Sequence, residues 1–156
     1  MAATVHVVGK PAHDAERQAL AYLAAGLPAS FQLYANSWLA QRDGAVYELD
    51  AVVLAPHAAF IVEIKSYRGR IEGTDHDWLL PAPRPSPLRL NRLTAQVLKG
   101  EVKRRSAAAG RCWVEGLVFL SHTTDLAIEG RPAAPGCTVG PPSWMPCAGR
   151  SSCATS

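Results

Sequence analysis

Two apolar runs decide the fold: Tyr47-Glu48-Leu49-Asp50-Ala51-Val52-Val53-Leu54 and, after a turn around Pro56-His57, Ala59-Phe60-Ile61-Val62-Glu63-Ile64-Lys65-Ser66-Tyr67. Rich in Val, Ile and aromatic residues, they read as neighbouring antiparallel strands. Strand side chains alternate, so Glu63 and Lys65 leave the same face about 6.6 Å apart. If Ala55 to Ala58 form a four-residue loop around a type I turn, Leu54 pairs with Ala59, and counting back sets Asp50 opposite Glu63. Carboxylates facing each other across a ladder repel unless a cation joins them, and a slip of one residue would part them onto opposite faces.

Upstream, Asp43-Gly44 signals a two-residue hairpin to a strand over Phe31 to Ala40, with Phe31, Leu33, Ala35, Ser37 and Leu39 expected on one side. Before it, Asp14 is placed to cap a helix running to about Ala25 and closed by Gly26 and Pro28, with Leu20, Leu23 and Leu27 as its apolar stripe. Downstream, a His/Asp-rich turn carrying Trp78 leads to Pro81, Pro83, Pro85 and Pro87, a spacing that predicts an exposed linker. Asn91 to about Ala109 has helical period, with Leu90, Leu93, Val97, Leu98 and Val102 as the apolar stripe and Arg92, Gln96, Lys99 and Lys103 as a polar one. Trp113 to Ser121 reads as a further strand with too few charges for an edge; after a helical crossover it can pair in parallel. The expected fold class is α/β (α+β), a central mixed sheet with helices on its faces.

With 156 residues, 48% hydrophobic and 19% charged, one core is expected, and no apolar run approaches the ~20 residues of a membrane helix. Met1 to Pro11 has no basic and apolar leader pattern, so the expected compartment is the cytoplasm. The net charge of +3 is uneven: residues 84–111 carry eight bases and one acid, which favours an anionic partner. Three of the four cysteines fall after residue 130 without zinc-site spacing. That segment has neither helical nor strand period, so 129–156 is expected to be a disordered tail or the scar of a shifted or truncated reading frame, and 12–128 the folded domain.

Hard divalent cations suit the central pair: Mg²⁺ takes one or two carboxylates, keeps several waters and accepts phosphate oxygens. Bound in this way it acidifies water and stabilises charge on phosphorus, while a neighbouring lysine adds a point positive charge. Glu-Leu-Asp at 48–50, followed by Glu63-Ile64-Lys65, Tyr67, Gly69-Arg70-Ile71 and Trp78, resembles the nuclease-related domain called NERD, a branch of the PD-(D/E)XK, restriction-endonuclease-like superfamily. The resemblance extends from about Asp14 to Ser121. It implies a restriction-endonuclease-like core and a metal-dependent phosphodiesterase, with Asp50 and Glu63 binding Mg²⁺ (or Mn²⁺) and Lys65 assisting the nucleophile. Glu16 is similar to the acidic residue of the family's first helix, and Gln96 to a glutamine on its later helix. The pattern departs at Pro56-His57-Ala58-Ala59, where a glycine is usual, and at Ser86-Pro87, where Asn-Pro is usual.

On this reading the partner is nucleic acid, DNA rather than RNA, with Arg92, Lys99 and Lys103 contacting phosphates and a kinase or helicase module as the kind of fusion partner such domains carry. Glu-x-Lys by itself describes many solvated strand ion pairs, and a basic helix face is often simply hydrated. The competing readings are a non-catalytic nucleic-acid-binding or scaffolding module and a non-functional fragment.

Overall fold

The computed structural model describes residues 3–122, 125–129 and 137–139. In chain order the elements are β1 (Thr4–Val7), α1 (Asp14–Gly26), β2 (Gln32–Ala40), β3 (Val46–Ala55), β4 (Ala58–Lys65), β5 (Ile71–Thr74), β6 (Asp77–Leu79), β7 (Pro83–Pro85), α2 (Pro87–Arg105), β8 (Trp113–Leu120), β9 (Leu126–Glu129) and β10 (Cys137–Val139). The main sheet has the order β1-β2-β3-β4-β8-β10, and a smaller one has the order β7-β6-β5-β9. β2, β3 and β4 form an antiparallel meander, and β8 joins β4 in parallel, so the chain adopts the expected α+β architecture with a mixed sheet. Parallel pairing of β4 and β8 requires a crossover, supplied by the small sheet and α2.

Three apolar clusters hold these layers. On one face, Leu20, Leu23 and Leu27 of α1 bury against Leu33, Val53, Phe60, Val62 and Leu117. On the other, Ala95 of α2 meets Leu39, Leu49 and Ile61, with Val97 and Leu98 packed alongside. Beside α2, Ile71 and Trp78 of the small sheet pack on Val118 and Leu120 of β8. Each fully buried Leu, Ile or Val stabilises the fold by about 1.5–3 kcal/mol relative to exposure, which makes β4 and β8, buried on both faces, the centre of the molecule.

The register expected for β3 and β4 is observed: Leu54 pairs with Ala59 and Ala51 with Val62. The loop is tighter than expected, because Ala55 and Ala58 also pair and leave only Pro56 and His57 to turn. The hairpin at Asp43-Gly44 is looser: Gln41 and Ala45 hydrogen-bond across three residues, and Gly44 takes φ 88°. Such a loop, a turn closed by a left-handed glycine, keeps the strands' twist without two consecutive positive φ angles.

Other expectations are corrected. His13, not Asp14, is the N-cap of α1, and Asp14 occupies its first turn, where the helix dipole favours a carboxylate. The prolines are not a linker: Pro83–Pro85 is an edge strand of the small sheet, where missing N–H donors cost no ladder bond, and Pro87 opens α2. Ser86 caps that helix through its Oγ, which accepts the Leu88 N–H at 3.2 Å. α2 is also turned from the expected stripe, since Leu90 and Leu93 are 61% and 49% exposed while Leu88, Asn91, Thr94 and Ala95 are buried. A Cβ on Gly116 of β8 would sit 2.6 Å from the Asn91 carbonyl oxygen, so the helix lies too close to the sheet for a leucine-lined face. Trp78 is core, whereas Trp38 and Trp113 are exposed.

Cys137–Val139 pairs in parallel with β8, which places β8 inside the sheet. The rest of 130–156, and with it the expectation of an unstructured tail, lies outside the described residues. No described helix is long and apolar enough to cross a membrane.

Candidate active site

Glu16, Asp50, Glu63 and Lys65 line one cavity of about 360 Å³ at the C-terminal end of β4, together with Glu48, Ser66 and Leu90. Four of the residues singled out in the sequence thus converge from α1, β3 and β4. β4 contributes Glu63 and Lys65 because the strand's inner face is spent on Phe60, Val62 and Ile64, leaving the alternate residues for the rim. The Lys65 ammonium lies 2.6 Å from a Glu63 carboxylate oxygen. Burial alone would pull the Lys65 amine down, yet the hydrogen-bonded Glu63 carboxylate outweighs it and holds the pKa above the ordinary lysine value.

Asp50 sits where the β3–β4 ladder opens. Its Oδ2 accepts the Ile64 N–H at 2.7 Å, so the carboxylate bridges the strands where the neighbouring pairs use backbone bonds. Burial pushes its pKa up to about 6; the Glu63 carboxylate pushes the same way and Glu16 adds to it, while the Ile64 N–H and Lys65 pull down less strongly. A carboxyl group loaded with neighbouring negative charge in a half-buried cavity is one whose ionised form calls for a cation.

Glu16 is fixed at both oxygens: one accepts the Ala12 N–H at 3.0 Å, and the other accepts the side-chain amide of Asn36 in β2. Asn36 lies behind the cavity lining, in contact with Glu16, and sequence reasoning missed it. It is the non-glycine residue with a left-handed φ, 52°, among the described residues, and it is buried. Asparagine in the middle of a strand, where it is a depleted residue, was its visible signal. Asn36 also marks where the expected one-sided stripe of β2 fails: Leu33 and Ala35 face α1, whereas Leu39 faces α2.

A second cavity, of about 380 Å³, lies against the first, sharing Glu48, Glu63, Lys65 and Leu90 and adding Tyr47, Tyr67, Ser86, Asn91 and Thr94. Asn91 donates from Nδ2 to the Ile61 and Leu117 carbonyls at 2.9 and 2.6 Å, tying α2 to β4 and β8. Gln96, five residues on, is exposed and lines neither cavity. The basic stripe lines neither cavity: Arg92 is ion-paired with Asp75 at 2.8 Å, and Lys99 lies 5.8 Å over the Trp113 ring. Because Ala58 pairs with Trp113 and Lys65 with Leu120, Trp113 is at the opposite end of the sheet, seven residues or about 23 Å from Lys65.

Among the described residues, no three His, Cys, Asp or Glu side chains stand together as a ready-made metal-ligand set. Asp50 and Glu63, two carboxylates from adjacent strands with open cavity before them, fit a hard divalent ion that retains much of its water.

A mixed sheet between two helices, carrying a carboxylate pair and a lysine at the end of its central strand, defines an α+β domain with an acidic, lysine-tipped cleft. The chain belongs to the NERD family, the nuclease-related domain, whose pattern matches residues 11–121. Membership gives it a nuclease-related role at the family level. No curated protein and no solved structure matches the chain.

Proposed function

We propose that this domain hydrolyses phosphodiester bonds of nucleic acid with Mg²⁺ or Mn²⁺, in the manner of PD-(D/E)XK nucleases. The observation that carries the reading is the convergence of Glu16, Asp50, Glu63 and Lys65 on one cavity from three separate elements. Asp50 and Glu63 would hold the ion, which when bound supplies an acidified water and charge stabilisation at phosphorus. Lys65, kept protonated by Glu63, orients the attacking water and neutralises charge on the phosphate oxygen; it is a cation here rather than a base. Glu16 is the auxiliary acid, held at the rim of the same cavity by its two hydrogen bonds. Arg92, Lys99 and Lys103 would contact phosphates remote from the cut, DNA is the favoured substrate over RNA, and a fused kinase or helicase module would deliver the domain to it.

Plasmid and single-stranded DNA incubated with Mg²⁺ or Mn²⁺ test this. Cleavage abolished by chelation, by Asp50→Ala and by Lys65→Ala is expected. Equal cutting by the wild type and Lys65→Ala would sink the assignment, as would a melting temperature that neither cation raises in the wild type.

A further inference from the structure

Asn36 does two jobs at one point of the fold, and we propose that it is the positioning residue of the site: by turning β2 over in a left-handed conformation it sets the faces of the strands beside Asp50 and aims Glu16 into the cleft. This rests on the nuclease reading only for what Glu16 is aimed at.

The register of β2 on β3 runs through Ala35↔Ala51 and Ser37↔Leu49, which leaves Asn36 opposite Asp50. On both strands the side chains change face there. Leu33 and Ala35, with Ala51 and Val53, pack toward α1, while Leu39 and Leu49 pack toward α2. Plain alternation would keep all six on one face. A φ of 52° in the middle of β2 is the break that reverses the faces of that strand, and asparagine is one of the few non-glycine residues that tolerates it. Glycine would serve the backbone equally well, so the choice of asparagine needs its side chain. That side chain is 6% exposed, its Nδ2 donates to Glu16, and its Oδ1 has no hydrogen-bond partner among the described residues. The Gly9 segment closes over it: a Cβ at Gly9 would lie 2.5 Å from the Asn36 carbonyl oxygen. The amide is therefore wedged between β1's exit and α1, and the Ala12 N–H holds the other oxygen of Glu16. With both oxygens held, Glu16 keeps its place on the cavity it shares with Asp50 and Glu63.

The test uses the full chain with Asn36→Gly, Glu16→Gln and the double variant. Glycine accepts the left-handed φ, so Asn36→Gly removes the amide and keeps the turn-over. Mn²⁺ affinity is read from the shift of melting temperature with added metal. Asn36→Gly is expected to weaken it about tenfold, matching Glu16→Gln, and the double variant to be no worse than either, because a residue acting through another loses nothing once that other is gone. Wild-type affinity in Asn36→Gly, or losses that multiply in the double variant, would overturn the proposal. If the wild type shows no response to Mn²⁺, the metal-dependent nuclease reading fails on its own. The same variants without metal then decide the positioning: unfolding free energies that are non-additive support the Asn36–Glu16 coupling, and additive ones overturn it.

Discussion

Asp50 is the residue whose physical state is most exposed to experiment. Its pKa rises from 3.8 to about 6 on folding, so between those values the folded chain binds more protons than the unfolded one. Stability therefore falls as pH rises through that window, and the stabilisation present below pH 4 is gone above pH 6. Asp50→Asn keeps an oxygen for the Ile64 N–H and removes the charge. It should stabilise the metal-free protein at pH 8 by about 2 kcal/mol, after allowance for solvent screening at a partly open site, and should flatten the pH dependence. Urea unfolding at pH 5 and pH 8 checks this; parallel pH profiles for the two proteins would refute it. Addition of Mg²⁺ or Mn²⁺ at pH 8 should stabilise the wild type and leave Asp50→Asn unmoved. The register that brings Asp50 and Glu63 to one end of the hairpin could be counted from the sequence, because small residues and a proline fix the turn. That Asp50 reaches in to replace a ladder bond could not, since nothing local distinguishes an aspartate lying in the sheet from one standing on it.

Among the elements, α2 departs furthest from what its pattern suggests. Periodicity picked Leu90 and Leu93 for the core, yet the helix presents Asn91, Thr94 and Ala95, because Gly116 lets its backbone approach β8 and Asn91 then finds two strand carbonyls. Hydrophobic period reads side chains and is blind to a glycine on another strand that brings two backbones together. β4 and β8, in contrast, were legible because strands buried on both faces are written as unbroken apolar runs. The short β5, β6 and β7 were not, since three or four residues with prolines and a glycine at φ 142° carry no period. Gly116→Ala should push α2 off the sheet and cost about 3 kcal/mol, and Asn91→Ala about 2 kcal/mol through the lost pair of bonds. Since the two changes damage one contact, their effects in the double variant should fall short of the sum; full additivity in urea unfolding would show that the close approach and the Asn91 bonds are independent.

At the scale of the whole molecule, charge and distance together decide how a nucleic acid could lie on the domain. The basic stretch at 84–111 was legible as composition, but folding spends part of it internally: Arg92 on Asp75, and Arg104 and Arg105 on Glu101. Lys99 lies over Trp113, the far end of the sheet, and Trp113 stands about 23 Å from Lys65 by strand rise. Duplex DNA advances about 3.4 Å per base pair, so a strand held at Lys65 meets Lys99 only if it continues for about seven pairs beyond the site. On the nuclease reading, Lys99→Glu with Lys103→Glu should weaken binding of a 20-pair duplex severalfold and lower its salt dependence by about two phosphate contacts. The same change should leave a duplex that ends four pairs past the cut unaffected, and it should not alter Mn²⁺ affinity. Fluorescence anisotropy over a salt series measures all three. An equal loss for long and short duplexes would mean that these lysines act through the general field of the protein. No loss for either would return the stripe to a hydrated helix face and leave phosphate contact to residues nearer the cleft.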